Sequence, residues 1–198
     1  MTTHRVKDIC KPGRENTAQE LYNDDIFVGY RYYDTFGVDV SYPFGYGGSY
    51  TSFAMSTKSV KADKDKVTVQ VKVKNTGTVS GKEVAEVYFS APDGELDKPY
   101  QELAGYAKTD ELAPGESQIL TISFDTKEMG SYDTDKAAYV MEDGDYIIRV
   151  GNSSRNTHVA AKLNVAEDTI TEQYSNLMVP VTENDNSKTV INIRPWSR

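Results

Sequence analysis

The stretch "KVTVQVKVKNTG", residues 66–77, limits the possible folds more than any other part of the chain. Valine stands at 67, 69, 71 and 73, with Thr68, Gln70, Lys72 and Lys74 after each in turn. Strand side chains point alternately to two faces, so this spacing makes one buried face and one wet face. On a helix the four valines would scatter around the circumference. A single strand of this kind is not stable alone and calls for a second packed layer. "NTG" then reads as a turn.

Further short strands come at similar intervals. "KEVAEVYFSAP" carries Val84, Val87 and Phe89 and stops at Pro92. "QELAGYAKTDELAPGES" holds a strand and then the turn residues Pro114 and Gly115. "QILTISF" places Ile119, Leu120 and Ile122 among polar neighbours, with looser alternation. "DGDYIIRVGNSS" reads as turn, strand, turn, and "THVAAKLNVA" as a last strand. About seven strands over roughly 115 residues match an all-β, immunoglobulin-like or fibronectin-like sandwich. Its expected span is residues 50–166. Beyond Ala166 the pattern fades: "TEQYSNLM" is read as a short helix and "ENDNSK" as a loop. Near the start, "RENTAQELYNDD" predicts one or two helical turns capped by Asn16 or Thr17.

Composition narrows the function. The 22 Lys and Arg against 30 Asp and Glu argue against nucleic acid, whose phosphates call for clustered cations. One cysteine, Cys10, excludes an internal disulfide, and two histidines, His4 and His158, are too few for a metal cluster by themselves. The opening "MTTHRVKDICKPG" lacks the apolar core of a signal peptide. No apolar run approaches the roughly 18 residues of a membrane span. The expectation is a soluble chain with no membrane partner, the cytoplasm being favoured over export.

A different kind of segment precedes the sandwich. "YPFGYGGSYTSF", Tyr42 to Phe53, sets three glycines and a proline among five aromatics, with no charge. Glycine permits tight bends, and each aromatic ring needs an apolar partner. Such a segment suits a stiff junction between two packed bodies.

The junction and the strands after it resemble family 3 glycoside hydrolases, the β-glucosidase family. "FVGYRYYDTFGVDVSYPFGYGGSYTSF" is similar to the end of their α/β sandwich domain, where it leads into a fibronectin type III-like domain. "VKNTGTVSGKEVAEVYFSAP", "KPYQELAGYAKTDELAPGES" and "GDYIIRVGNSS" come next in the family's order, and the likeness covers roughly residues 22–165. It implies a remnant of the α/β sandwich domain and hinge over 1–49, the β-sandwich over 50–166, and a connector over 167–198. "AEDTITEQYSNLM" resembles the connector of members whose barrel comes after the fibronectin-like domain. Two positions depart from the family. "YNDD" stands where relatives read Tyr-x-Glu-Gly, and Gly48 replaces a leucine, which predicts weaker hinge packing.

The resemblance also implies an activity for the parent: hydrolysis of terminal, non-reducing β-D-glucosides with retention, without metal or organic cofactor. Such enzymes use an aspartate nucleophile in a barrel and a glutamate acid/base in the α/β sandwich, about 5–5.5 Å apart across the bond. The expectation is that both carboxylates lie outside this chain, leaving no catalytic, cofactor-binding or metal residue here. The candidate residues are therefore for packing between domains: Tyr30, Arg31, Tyr32, Tyr33, Asp34, Tyr42, Phe44 and Tyr46. The expected partners are the parent's barrel and α/β sandwich. In the isolated chain the tyrosine block, residues 26–50, is expected to self-associate or to move freely.

Each candidate has a rival reading. "GYRYYD" could stack on sugar rings, but the junction position favours packing. Arg31 could hold substrate, but pairing with a carboxylate such as Asp34 is the simpler role. "DKDK" and "DTDK" lack the spaced oxygen ligands of a calcium loop and read as turns. "NSS" at Asn152 matches a glycosylation acceptor, yet as a turn it needs no such role. Glu83 and Glu86, three apart on a strand, point to opposite sides and make a poor acid/base pair. Cys10 has no activating neighbour in the sequence. The rival function is a stand-alone carbohydrate-binding or adhesion module, which would expose a planar row of aromatics.

Overall fold

The computed structural model describes residues 25–177. The helical turns expected in "RENTAQELYNDD", Cys10, His4 and the loop "ENDNSK" lie outside those residues. Among the described residues a short helix, α1 (Tyr30–Thr35), comes first, and ten strands come after it. They are β1 (Phe53–Ala62), β2 (Lys66–Asn75), β3 (Val84–Ser90), β4 (Glu102–Lys108) and β5 (Ser117–Asp125). A 3-10 turn (Thr126–Met129) leads on to β6 (Ser131–Asp133) and β7 (Ala138–Met141). The last three are β8 (Gly144–Gly151), β9 (Thr157–Val165) and β10 (Thr169–Gln173).

One sheet has the order β1-β2-β5 and another the order β4-β3-β8-β9, all antiparallel. The four valines of β2 are fully buried. In register beside them on β5 stand Phe124, Ile122 and Leu120. Their packing partners come from β3 (Ala85, Val87, Phe89) and β8 (Tyr146, Ile148, Val150), which complete one core. This is an all-β sandwich. Loose alternation in "QILTISF" resolves simply: Leu120 and Ile122 face the core, while Ile119 is exposed.

The turn after β2 is held by Asn75, which is buried. Its amide donates to the carbonyls of Val79 (2.8 Å) and Leu112 (2.9 Å), and its oxygen accepts from Thr51 Oγ1 (2.8 Å) and Gly77 N (3.0 Å). All the hydrogens and the acceptor are used, which is what a buried amide requires. Gly77 admits no side chain here, since a Cβ would lie 2.2 Å from Thr51 Oγ1. "DKDK" and "DTDK" are both turns. Asp63 Oδ1 accepts from the backbone N–H groups of Asp65 and Lys66, and Asp133 Oδ1 from those of Asp135 and Lys136.

The segment after Ala166 differs from its sequence reading. Thr171 to Gln173 are strand, part of β10, and not helix. β10 pairs with β7 in a third small sheet of order β10-β7-β6. The free edge of β7 supplies hydrogen-bond partners, and Thr169, Ile170 and Thr171 are β-branched residues that suit a strand. Local spacing carries no trace of an edge formed elsewhere in the chain.

Candidate functional site

β3 explains why the tyrosine block sits where it does. From Ala85 to Ser90 every residue is buried, so both faces of this strand are covered. Ala85, Val87 and Phe89 face the sandwich core. Glu86, Tyr88 and Ser90 point the other way; the tyrosine block covers Glu86 and Tyr88, and Arg149 donates to Ser90. Tyr30 of α1 meets Tyr88 edge-on at 6.2 Å and stacks on Phe44 at 4.6 Å. Gly45 approaches Glu86 so closely that a Cβ would come within 2.3 Å of its carboxylate.

Polar contacts fasten this layer. Leu103 N–H donates to Tyr30 Oη (2.8 Å), Tyr100 N–H to Thr35 Oγ1 (2.8 Å), and Ser154 N–H to the Phe44 carbonyl (2.8 Å). Arg31 pairs with Glu102 of β4 at 2.9 Å, not with Asp34. Asp34 instead accepts from Arg155 Nε at 2.8 Å. The Arg155 guanidinium also donates to the carbonyls of Tyr33 and Val38, bridging the end of α1 and the following bend to the turn after β8. An i,i+3 pair within one short helix lost to two cations and carboxylates brought together by tertiary packing.

Three side-chain oxygens at this seam are buried without a hydrogen-bond partner: Asp34 Oδ2, Gln101 Oε1 and Ser154 Oγ. Each such group costs about 1–3 kcal/mol. Burial raises the Glu86 carboxyl above its usual range, against the opposing hydrogen bond from Tyr88. Glu102 is raised by burial too, with Arg31 opposing.

The candidate residues divide into three sets. Tyr30, Arg31, Asp34 and Phe44 engage the sandwich of this same chain. Tyr32 packs on Tyr33 and Phe36, at 5.5 and 4.9 Å. Tyr42 and Tyr46 stack on each other at 5.1 Å and face outward, 71% and 57% exposed. A shallow cleft runs between α1 and this turn, lined by Tyr30, Tyr33, Asp34, Val40, Tyr42 and Phe44. Gly48 lies in open space, where a Cβ would meet nothing within 4 Å. The missing leucine thus leaves no hole in the described residues.

Sequence reasoning overlooked Arg155, Glu102 and Tyr88 as seam residues. One signal was present: "VAEVYFS" is nearly continuous where a half-wet strand would alternate. Arg155 carried no such mark. Asn152, in the glycosylation-like triplet, accepts from Asn156 Nδ2 at 2.7 Å and sits in the turn that presents Arg155.

A family described as "Fibronectin type III-like domain" matches residues 83–154. A β-glucosidase from Ruminococcus albus is 42% identical over 173 residues, covering 84% of this chain and 18% of that protein. The solved β-glucosidase from Paenibacillus barengoltzii superposes with a TM-score of 0.76 at 46% identity, over 79% of this chain and 19% of that one. β-Glucosidase 3B from Thermotoga neapolitana gives 0.72 at 44% identity, over 76% of this chain and 21% of that one. Over most of its own length the chain matches a segment of β-glucosidases of glycoside hydrolase family 3. It spans about a fifth of the length of the curated relatives it matches, and that fifth carries the fibronectin type III-like domain. In this family 3 segment, β3, β4 and the turn after β8 lie within the matched residues 83–154, and the tyrosine block docks against them.

Proposed function

We propose that this chain serves as the joint of a family 3 β-glucosidase. The fibronectin type III-like sandwich supports and positions the body of the enzyme through the tyrosine block. The observation that carries this reading is the two-sidedness of the block. Its inner side is fastened to the sandwich by Tyr30, Arg31, Asp34 and Phe44, while Val28, Tyr42, Tyr46 and Tyr50 stand exposed on its outer side. An aromatic surface of this kind fits a packed domain boundary. The partners are the barrel and the rest of the α/β sandwich, and the whole enzyme hydrolyses terminal β-D-glucosides. The residues of this chain hold the domains in register. The carboxylates of the seam, buried Glu86 and half-buried Glu102, are engaged by Tyr88 and Arg31 in packing contacts.

A carbohydrate-binding module is less well supported. Tyr132, Tyr139 and Tyr174 form a second exposed aromatic group at the small sheet. Their rings meet edge to face, at 65° and 70°, so they do not make the flat platform that stacks along a sugar chain.

The purified chain should release no nitrophenol from an aryl β-glucoside above a blank. Turnover that copurifies with the chain through several columns would overturn the assignment. The outer aromatic face should also draw copies of the isolated chain together. Sizing chromatography over a hundredfold dilution should then show dissociation, and Tyr42→Ser with Tyr46→Ser should remove it. A species of unchanged size throughout would show that this face does not self-associate.

A further inference from the structure

We propose that Glu86 is a pH-operated latch on the tyrosine block: neutral, it seals residues 26–50 against the sandwich, and ionised, it loosens them. The side chain stands on the outer face of β3, 6% exposed, under the turn at Gly45. Tyr88 Oη donates to Glu86 Oε2 at 2.6 Å. The groups around it come from every neighbouring element. Glu83, just before β3, adds a like charge. On β4, Tyr106 stands in register beside it, and on β8 Gly151 does the same. Arg149 of β8 is in register with Tyr88, but its Nε donates to Ser90 Oγ (3.1 Å) and its guanidinium lies over the Tyr100 ring. From α1 come Tyr30 and Asp34, and the Asp34 charge is engaged by Arg155. Among the described residues no cation pairs with Glu86. Among the described residues an ionised carboxylate here has one donor, the Tyr88 phenol, and lies beneath the turn at Gly45.

The sign comes from proton linkage. Burial under the block raises the Glu86 carboxyl, and lifting the block returns it toward its ordinary value. The docked form therefore binds the proton more readily. The stabilisation is fully present below the ordinary carboxylate range and is lost as pH rises through the docked value. Glu102 is displaced in the same direction, and adds a second, smaller contribution because Arg31 opposes it.

Hydrogen exchange of the dilute full chain between pH 5 and pH 8 tests the latch, with rates corrected for intrinsic chemical exchange. Protection of residues 26–50 should fall several-fold as pH rises, while residues 67–73 in the core stay constant. Glu86→Gln should make the block firmly docked with most of the pH dependence gone. Tyr88→Phe removes the one donor that favours the ionised form, so its midpoint should move to higher pH. Protection that ignores pH in the parent chain overturns the proposal, as does full pH dependence in Glu86→Gln. Should Glu86→Gln lose core protection as well, the Tyr88→Phe midpoint decides, and an unmoved midpoint counts against the latch.

Discussion

Replacing Val71 with aspartate unfolds the sandwich. Val71 has no exposure and stands in register with Leu120 on β5, in the middle of the inner face. An aspartate there lies in the apolar core, flanked in register by Leu120 on β5 and Thr57 on β1, and neither of these brings a cation to it. The effective penalty for an unpaired buried ion is several kcal/mol, and a domain of this size has about 5–15 kcal/mol in total. Circular dichroism at neutral pH should show the strand signal lost at 25 °C, or a melting transition lowered by tens of degrees. Lys72→Asp, one residue along on the outer face, should shift the melt by only a few degrees. Equal tolerance of both would mean that the two faces of β2 are assigned the wrong way round.

The second large effect is expected at Lys98. The loop between β3 and β4 is pinned by Glu142, whose carboxylate accepts from the backbone N–H of Glu95 at 2.7 Å, from that of Leu96 at 3.4 Å, and from Lys98 Nζ. Both charged side chains are nearly buried, at 7% and 8% exposure. Lys98→Met strands the carboxylate, and breaking one side of such a pair costs about 3–5 kcal/mol. The pH dependence gives the mechanism a signature. Burial pushes the Glu142 carboxyl up, but Lys98 and the two N–H groups together outweigh it and hold it below its usual range. That contribution is present above the unfolded-state value and is lost as pH falls through the folded one. In Lys98→Met burial meets less opposition, the carboxyl rises, and protonation relieves the penalty. Urea denaturation should therefore show a large gap from the parent at pH 7 and a smaller one near pH 4. A gap that stayed constant with pH would assign the loss to packing of the lysine stem alone. Lys162→Met is the contrast. Its pair with Asp145 is open to solvent, and surface pairs of this kind contribute little to stability.

The sequence alone determined the sandwich and its inner face. Val67, Val69, Val71 and Val73 record their burial in a period of two, because a strand next to one core and one solvent must alternate. The order of four motifs determined the kinship, and the glycine- and aromatic-rich run marked the junction. Only the tertiary structure decided what the junction touches. Arg31 and Asp34 lie three residues apart on one helix, yet each takes a partner far along the chain, Glu102 and Arg155. The outer face of β3 is dry because another part of the chain lies on it, which also sets the state of Glu86. β10 is a strand because β7 has a free edge. Period and composition report the environment of a segment averaged over its faces. Pairing between distant side chains depends on which surfaces meet, and that is a property of the packed chain.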